Sequence, residues 1–113
     1  MLKSKIHCAC VTETNLHYEG SISIDRNLIE VVDLVPYEMV HIYNINNGER
    51  FSTYIIPAKS GEIGLNGAAA KKGARGDLII VASYTLVDER QIKNHHPKLV
   101  FVNKKNEIIQ VKD

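Results

Sequence analysis

The chain lacks any apolar run near the ~18 residues that a membrane-spanning helix needs. Its start, MLKSKIHCAC, has basic residues but no apolar stretch behind them, so no secretory signal and a cytoplasmic location are expected. An excess of one charge sign is also missing. The 14 Lys and Arg against 13 Asp and Glu leave a formal net charge of +1. That balance gives no global argument for nucleic acid or for a membrane surface as partner, and the small cluster Lys71, Lys72 and Arg75 reads as solvated surface. Cysteine is limited to Cys8 and Cys10. A bond between such near neighbours is strained, so two reduced, half-buried thiols are expected. Neither C-x-x-C nor H-x-x-x-H spacing occurs, which argues against a metal site built from His7, Cys8, Cys10 and His17, and no metal is expected. Repeats, low-complexity segments and linkers are absent too, and 113 residues suit one domain, 1–113, with a modest core.

What is present is short-range alternation in a chain that is 44% hydrophobic and 24% charged. KSKIHCACVT alternates as a strand, with Ile6, Cys8 and Cys10 on one face and Lys5, His7, Ala9 and Val11 on the other. ISID is a second strand. Asp25 caps a helix over RNLIEVVDLV, where Leu28, Ile29 and Val32 share a face and Pro36 ends the run. MVHIYNI and RFSTYIIPA are strands joined by an NNGE turn. A loop leads to NGAAAKKG, where Asn66 can cap one helical turn and Gly73 can close it. DLIIVASYTLV reads as a buried central strand, DERQIKNHH as a short helix or turn with His95 and His96 at an exposed end, and KLVFVNKKNEIIQV as a hairpin. The total is six or seven short strands with two or three short helices, an all-β chain for which a small closed barrel removes the strand edges.

Three stretches carry residues suited to chemistry. In HYEGS, Gly20 leaves its carbonyl open to close approach and Ser21 places a hydroxyl beside it, although Gly-Ser pairs are most often turns. In ERFSTYII, alternation puts Arg50, Ser52 and Tyr54 on one face and Phe51, Thr53 and Ile55 on the other. An Arg there can grip a carboxylate and a Tyr can donate a proton, while a plain solvent-facing strand is the alternative. In LNGAAA, small side chains let backbone N–H groups approach a ligand, or else they serve close packing.

Taken together, SKIH, LHYEGSISID, NNGERFSTYII, NGAAA and GDLIIVAS resemble the pyruvoyl-dependent aspartate 1-decarboxylases in order and spacing, from about Leu2 to the C-terminal hairpin. The resemblance implies a six-stranded double-psi β-barrel, a fold class in which a Gly-Asp pair such as Gly76-Asp77 is common ahead of an apolar strand. It also implies a homotetramer with sites between subunits. The implied reaction converts L-aspartate to β-alanine and CO2 through a Schiff base on a pyruvoyl group, without pyridoxal phosphate, and feeds pantothenate and coenzyme A. By the same resemblance the pyruvoyl group arises at Ser21 when the chain cleaves itself after Gly20, giving residues 1–20 (β chain) and 21–113 (α chain). Tyr54 is then the proton donor, and Lys5, Arg50, Thr53, Gly67, Ala68 and Ala69 contact substrate. Thr53 also assists cleavage, and His7, Tyr18 and Asn66 line the site. Whether maturation is spontaneous or needs a helper protein stays open. So does a rival reading, a DNA-binding module of the swapped-barrel type without catalysis, against which the near-neutral charge argues.

Overall fold

Alternating β-branched residues build most of the architecture. The computed structural model describes all 113 residues, Met1–Asp113. Its strands are β1 (Leu2–Cys10), β2 (Glu13–Asn15), β3 (Ser21–Asp25), β4 (Met39–Asn44), β5 (Arg50–Ala58), β6 (Ile63–Asn66), β7 (Leu78–Tyr84), β8 (Lys98–Val102) and β9 (Ile108–Lys112). One α-helix, α1 (Arg26–Val31), and two 3-10 turns (Gly67–Lys71 and Glu89–Asn94) complete the chain. The nine strands form one sheet in the order β2-β6-β3-β5-β4-β7-β1-β8-β9.

One end of that order, β2, is linked through the chain itself to β1, near the other end. β1 pairs with β7 and β8, then runs through Val11 and Thr12 into β2, which pairs with β6. At the bend, the Thr12 N–H donates to the Ile63 carbonyl at 2.8 Å, and the Ile63 N–H donates to Thr12 Oγ1 at 3.0 Å. The Gly76-Asp77 turn holds the same bend from the other side, with Gly76 N–H to Val11 O at 2.8 Å and Val11 N–H to Asp77 O at 2.9 Å. The all-β expectation therefore holds, and the architecture is consistent with a barrel. Its core is a stack of fully buried aliphatics that includes the cross-strand row Ile42, Val81, Ile6 and Val100.

Several local expectations are corrected. β1 is not a regular strand: Cys8 has φ of 63°, and the pairing with β7 steps from Ile6↔Val81 to Ala9↔Ile79, which leaves one extra residue on β1. The bulge flips the alternation, so Ile6, Ala9 and Val11 are buried while His7, Cys8 and Cys10 are half-exposed. α1 starts under the Asp25 cap, whose carboxylate accepts from the Asn27 N–H at 2.8 Å, but it stops at Val31 rather than at Pro36. The stop comes at Asp33, which adopts a left-handed φ of 59°. β6, read from sequence as loop, is four residues long and wholly buried. Gly73 does not close a helix through a left-handed turn. Its missing side chain leaves room for neighbouring side chains, since a Cβ there would lie 2.8 Å from Leu65 Cδ1 and 3.1 Å from Asn44 Nδ2, and one of them would have to shift. β7 ends at Tyr84, and Leu86 beyond it is 99% exposed.

Candidate active site

Ser21 opens β3 and is fully buried. Its hydroxyl donates to the Glu19 carbonyl at 3.0 Å and accepts from Asn66 Nδ2 at 2.9 Å. The same amide nitrogen donates to Ser23 Oγ, also at 2.9 Å. β3 and β6 run antiparallel with Ser21 opposite Asn66, and this register brings the amide to the serine. Asn66 therefore does not cap the 3-10 turn that follows it: that turn has no side-chain cap, and the amide is committed to the two serines.

Two glycines at this point serve different ends. Gly67 is buried with φ of +64°, and a Cβ on it would lie 2.7 Å from Gly20 Cα, 2.8 Å from Gly20 N and 3.0 Å from Tyr18 O. The Tyr18–Gly20 backbone thus packs directly on Gly67. Gly20 itself has no positive φ, and nothing lies within 4 Å of where its Cβ would be. Neither a left-handed turn nor crowding demands glycine at 20. Nor is the seam a hairpin: β2 and β3 do not pair with each other but lie on either side of β6.

Beside Gly20 lies a cleft of about 370 Å³, lined by Gly20, Phe51, Ser52, Thr53, Tyr54, Ala68, Ala69 and Lys72. It exists because β3 pairs only with the Ile55–Ala58 half of β5, leaving that edge of the Arg50–Tyr54 half uncovered. The β4–β5 pairing is unbroken from Tyr43↔Arg50 to Met39↔Tyr54, so Thr53 does lie on the face opposite Arg50 and Tyr54. Its place is at the cleft edge with Gly20. A larger cleft of about 450 Å³ takes in Tyr18, Ser23, Asn66, Glu13 and Glu62. The smaller cleft is the candidate site, because it gathers Gly20, Thr53, Tyr54, Ala68 and Ala69.

Arg50 is exposed at the start of β5, with its guanidinium carbon 3.9 Å from the Tyr43 ring centroid. The Tyr43 and Tyr84 hydroxyls are 2.7 Å apart, and that hydrogen bond, followed by burial, pushes the Tyr84 phenol above its ordinary value. Tyr54 is half-buried against Tyr37, with ring centroids 6.2 Å apart. Lys5 and His7 are not gathered with these groups in one chain, since β4 and β7 stand between β5 and β1. His7 packs on Phe101 with centroids 5.5 Å apart, and its Nδ1 is buried without a partner. Burial first, and then the Lys5 charge, pushes the His7 imidazole below its ordinary value. No group of three or more His, Cys, Asp or Glu side chains is placed to hold a metal ion, so His7, Cys8, Cys10 and His17 do not form a ligand set. Sequence reasoning missed Ser23, although the S-x-S spacing in SISID puts both hydroxyls on one strand face.

Comparison with known proteins adds an independent line. The family model described as "Aspartate decarboxylase" matches residues 1–109. An aspartate 1-decarboxylase from Syntrophus aciditrophicus (strain SB) is 61% identical over 110 residues, covering 96% of this chain and 95% of that protein. Those from Hydrogenobaculum sp. (strain Y04AAS1) and Dehalococcoides mccartyi (strain ATCC BAA-2266 / KCTC 15142 / 195) are 56% and 51% identical, over 99% and 100% of this chain and 90% and 93% of theirs.

Proposed function

Because the chain belongs to the aspartate decarboxylase family, we propose that it decarboxylates L-aspartate to β-alanine and CO2 with a pyruvoyl group that it makes at Ser21 by cutting itself after Gly20. The observation that carries this reading is the buried Ser21 hydroxyl, held by Asn66 beside a glycine that neither turn geometry nor packing requires. A buried hydroxyl with two fixed hydrogen bonds is oriented, and an adjacent residue with no Cβ leaves its carbonyl unhindered.

In the proposed cleavage, Ser21 Oγ bonds to the Gly20 carbonyl carbon and the Gly20–Ser21 C–N bond breaks. The Ser21 nitrogen takes up the proton, leaving an ester. Thr53, at the cleft edge with Gly20, is the donor assigned to the oxyanion. Loss of the Cα proton of residue 21 then expels the Gly20 carboxylate by breaking the Oγ–Cβ bond. Water hydrolyses the dehydroalanine, releases ammonia and leaves the pyruvoyl group at the head of residues 21–113, with residues 1–20 as the second chain. The site suits such a group: Asn66 holds a donor at residue 21, and the neighbouring cleft offers room for a small amino acid.

When formed, the pyruvoyl group supplies the electron sink that decarboxylation needs, in place of pyridoxal phosphate. The chain's own residues do the rest. Arg50 binds a substrate carboxylate, with Lys5 as a second cation. Tyr54 protonates the carbon that loses CO2. Thr53, Ala68 and Ala69 form the walls against substrate; Gly67 backs the Tyr18–Gly20 segment, Tyr18 and Asn66 border the adjoining larger cleft, and His7 joins the site from another copy of the chain. Lys5 and His7 lie on a different part of the sheet from Ser21 and Tyr54, which supports a site completed between copies of the chain in a homotetramer. A biosynthetic role in the cytoplasm, leading to pantothenate, accords with this chemistry, and no helix of the chain is long and apolar enough to cross a membrane.

Intact-mass measurement with a β-alanine assay tests the reading. Two chains split after Gly20, together with β-alanine from aspartate, are expected. A single whole chain without β-alanine after prolonged warm incubation, with and without cell extract as a source of helper, refutes it.

A further inference from the structure

We infer that Ser23 is a positioning residue whose hydroxyl holds the Asn66 amide against residue 21, before the chain is cut and after. The inference rests on the cleavage proposed above. Asn66 Nδ2 lies 2.9 Å from both Ser21 Oγ and Ser23 Oγ, so its two N–H groups are divided between the two serines. Asn66 is 4% exposed and Ser23 8%, so both bonds are largely shielded where the two residues border the larger cleft. Two acceptors at fixed positions on one strand face also set the amide torsion, which a single acceptor does not.

The surroundings leave this pairing undisturbed. Ser23 lies opposite Gly64 in the β3–β6 register, as Ser21 lies opposite Asn66. A Cβ at position 64 would press to 3.4 Å from Ser23 Cβ and 3.3 Å from Glu13 Cγ. With glycine there, no side chain from residue 64 stands beside the Ser23 hydroxyl. The Asn66 amide is the one side-chain partner that Ser23 Oγ has.

The two serines have different fates in the proposed cleavage. Ser21 Oγ departs as an oxygen of the new Gly20 carboxylate, and Cβ of residue 21 becomes a methyl group. Asn66 thereby loses one acceptor, while Ser23 Oγ keeps its place. Ser23 is thus one of two anchors during cleavage and the one that cleavage leaves chemically unchanged. Its removal should weaken catalysis more than cleavage.

The test compares Ser23→Ala, Ser23→Thr and Ser23→Val. Cleavage is followed by intact mass, kcat and KM for aspartate are measured per cleaved chain, and unfolding midpoints are recorded. Ser23→Ala should lose about tenfold in kcat, the worth of one net hydrogen bond, with a smaller change in cleavage rate. Ser23→Thr should restore kcat, and Ser23→Val, with the same shape but no hydroxyl, should not. Should Ser23→Ala fold poorly, the Thr–Val pair decides. Equal kcat in Thr and Val, with the wild type cleaving normally, overturns this inference alone. A wild type that stays whole overturns the cleavage reading and this inference with it.

Discussion

Gly67→Ala tests the architecture of the site most directly. The added methyl would sit 2.7 Å from Gly20 Cα, 2.8 Å from Gly20 N and 3.0 Å from Tyr18 O, all of them backbone atoms without a rotamer to escape into. Its φ of +64° adds left-handed strain of about 1–2 kcal/mol for a residue with a Cβ. Overpacking adds about 1–3 kcal/mol, so the folded state should lose about 2–5 kcal/mol. Relief requires the Tyr18–Gly20 segment to move off the 3-10 turn, which shifts the Gly20 carbonyl relative to Ser21 Oγ and Thr53. A displacement of about 1 Å at a reacting centre costs on the order of 10²-fold in rate. Urea unfolding and a time course of intact mass read the two effects. Gly20→Ala is the control for fold, because its Cβ meets nothing within 4 Å; its stability should change by less than about 0.5 kcal/mol. A Gly67→Ala protein that cleaves at the wild-type rate refutes the reasoning.

Ser21→Ala should stay whole and inactive, since alanine has no hydroxyl for the acyl shift; a cut after Gly20 in this variant would assign the nucleophile elsewhere. Tyr54→Phe should still split, while β-alanine formation falls about 10²–10⁴-fold, the usual contribution of a positioned acid; full activity in the split variant would give the proton to another group. Arg50→Ala should split normally but bind aspartate more weakly. Because Arg50 is exposed in the single chain, the loss should be about 1–2 kcal/mol, read as a roughly 5–30-fold rise in KM. Burial alone would push the Glu38 carboxyl up, but hydrogen bonds from Lys3, Ser83 and the Val35 N–H outweigh it and hold the carboxyl below its ordinary value of 4.5. Its stabilisation is therefore present above the ordinary value and lost as pH falls through the folded one. Wild type should lose more stability than Glu38→Gln between about pH 6 and about pH 3, and parallel acid titrations of the two would remove Glu38 from the account.

Local chemistry was legible in the sequence. Strand alternation is a period-two property of neighbouring residues, so Arg50, Ser52 and Tyr54 fell on one face and Thr53 on the other, as the unbroken β4–β5 register has them. The Asp25 cap is likewise a contact two residues along the chain, to the Asn27 N–H. The joint occurrence of LHYEGSISID, NNGERFSTYII and NGAAA was enough to point to the family. Long-range register was not legible, because it depends on which strands meet. The bulge at Cys8 reverses the faces of β1, and it follows from pairing with β7 rather than from any turn residue in KIHCAC. β6 was hidden since four residues, two of them Gly64 and Asn66, carry too little alternation to read, and its burial comes from lying between β2 and β3. Only tertiary structure gave Asn66 to Ser21 and Ser23 instead of to a helix cap, because an amide reaches hydroxyls 45 and 43 residues away only when the antiparallel register sets them side by side. The two glycines were likewise divided by the fold: the backbone that passes over the Cβ side of Gly67 belongs to residues 18–20, whereas the Cβ side of Gly20 is open.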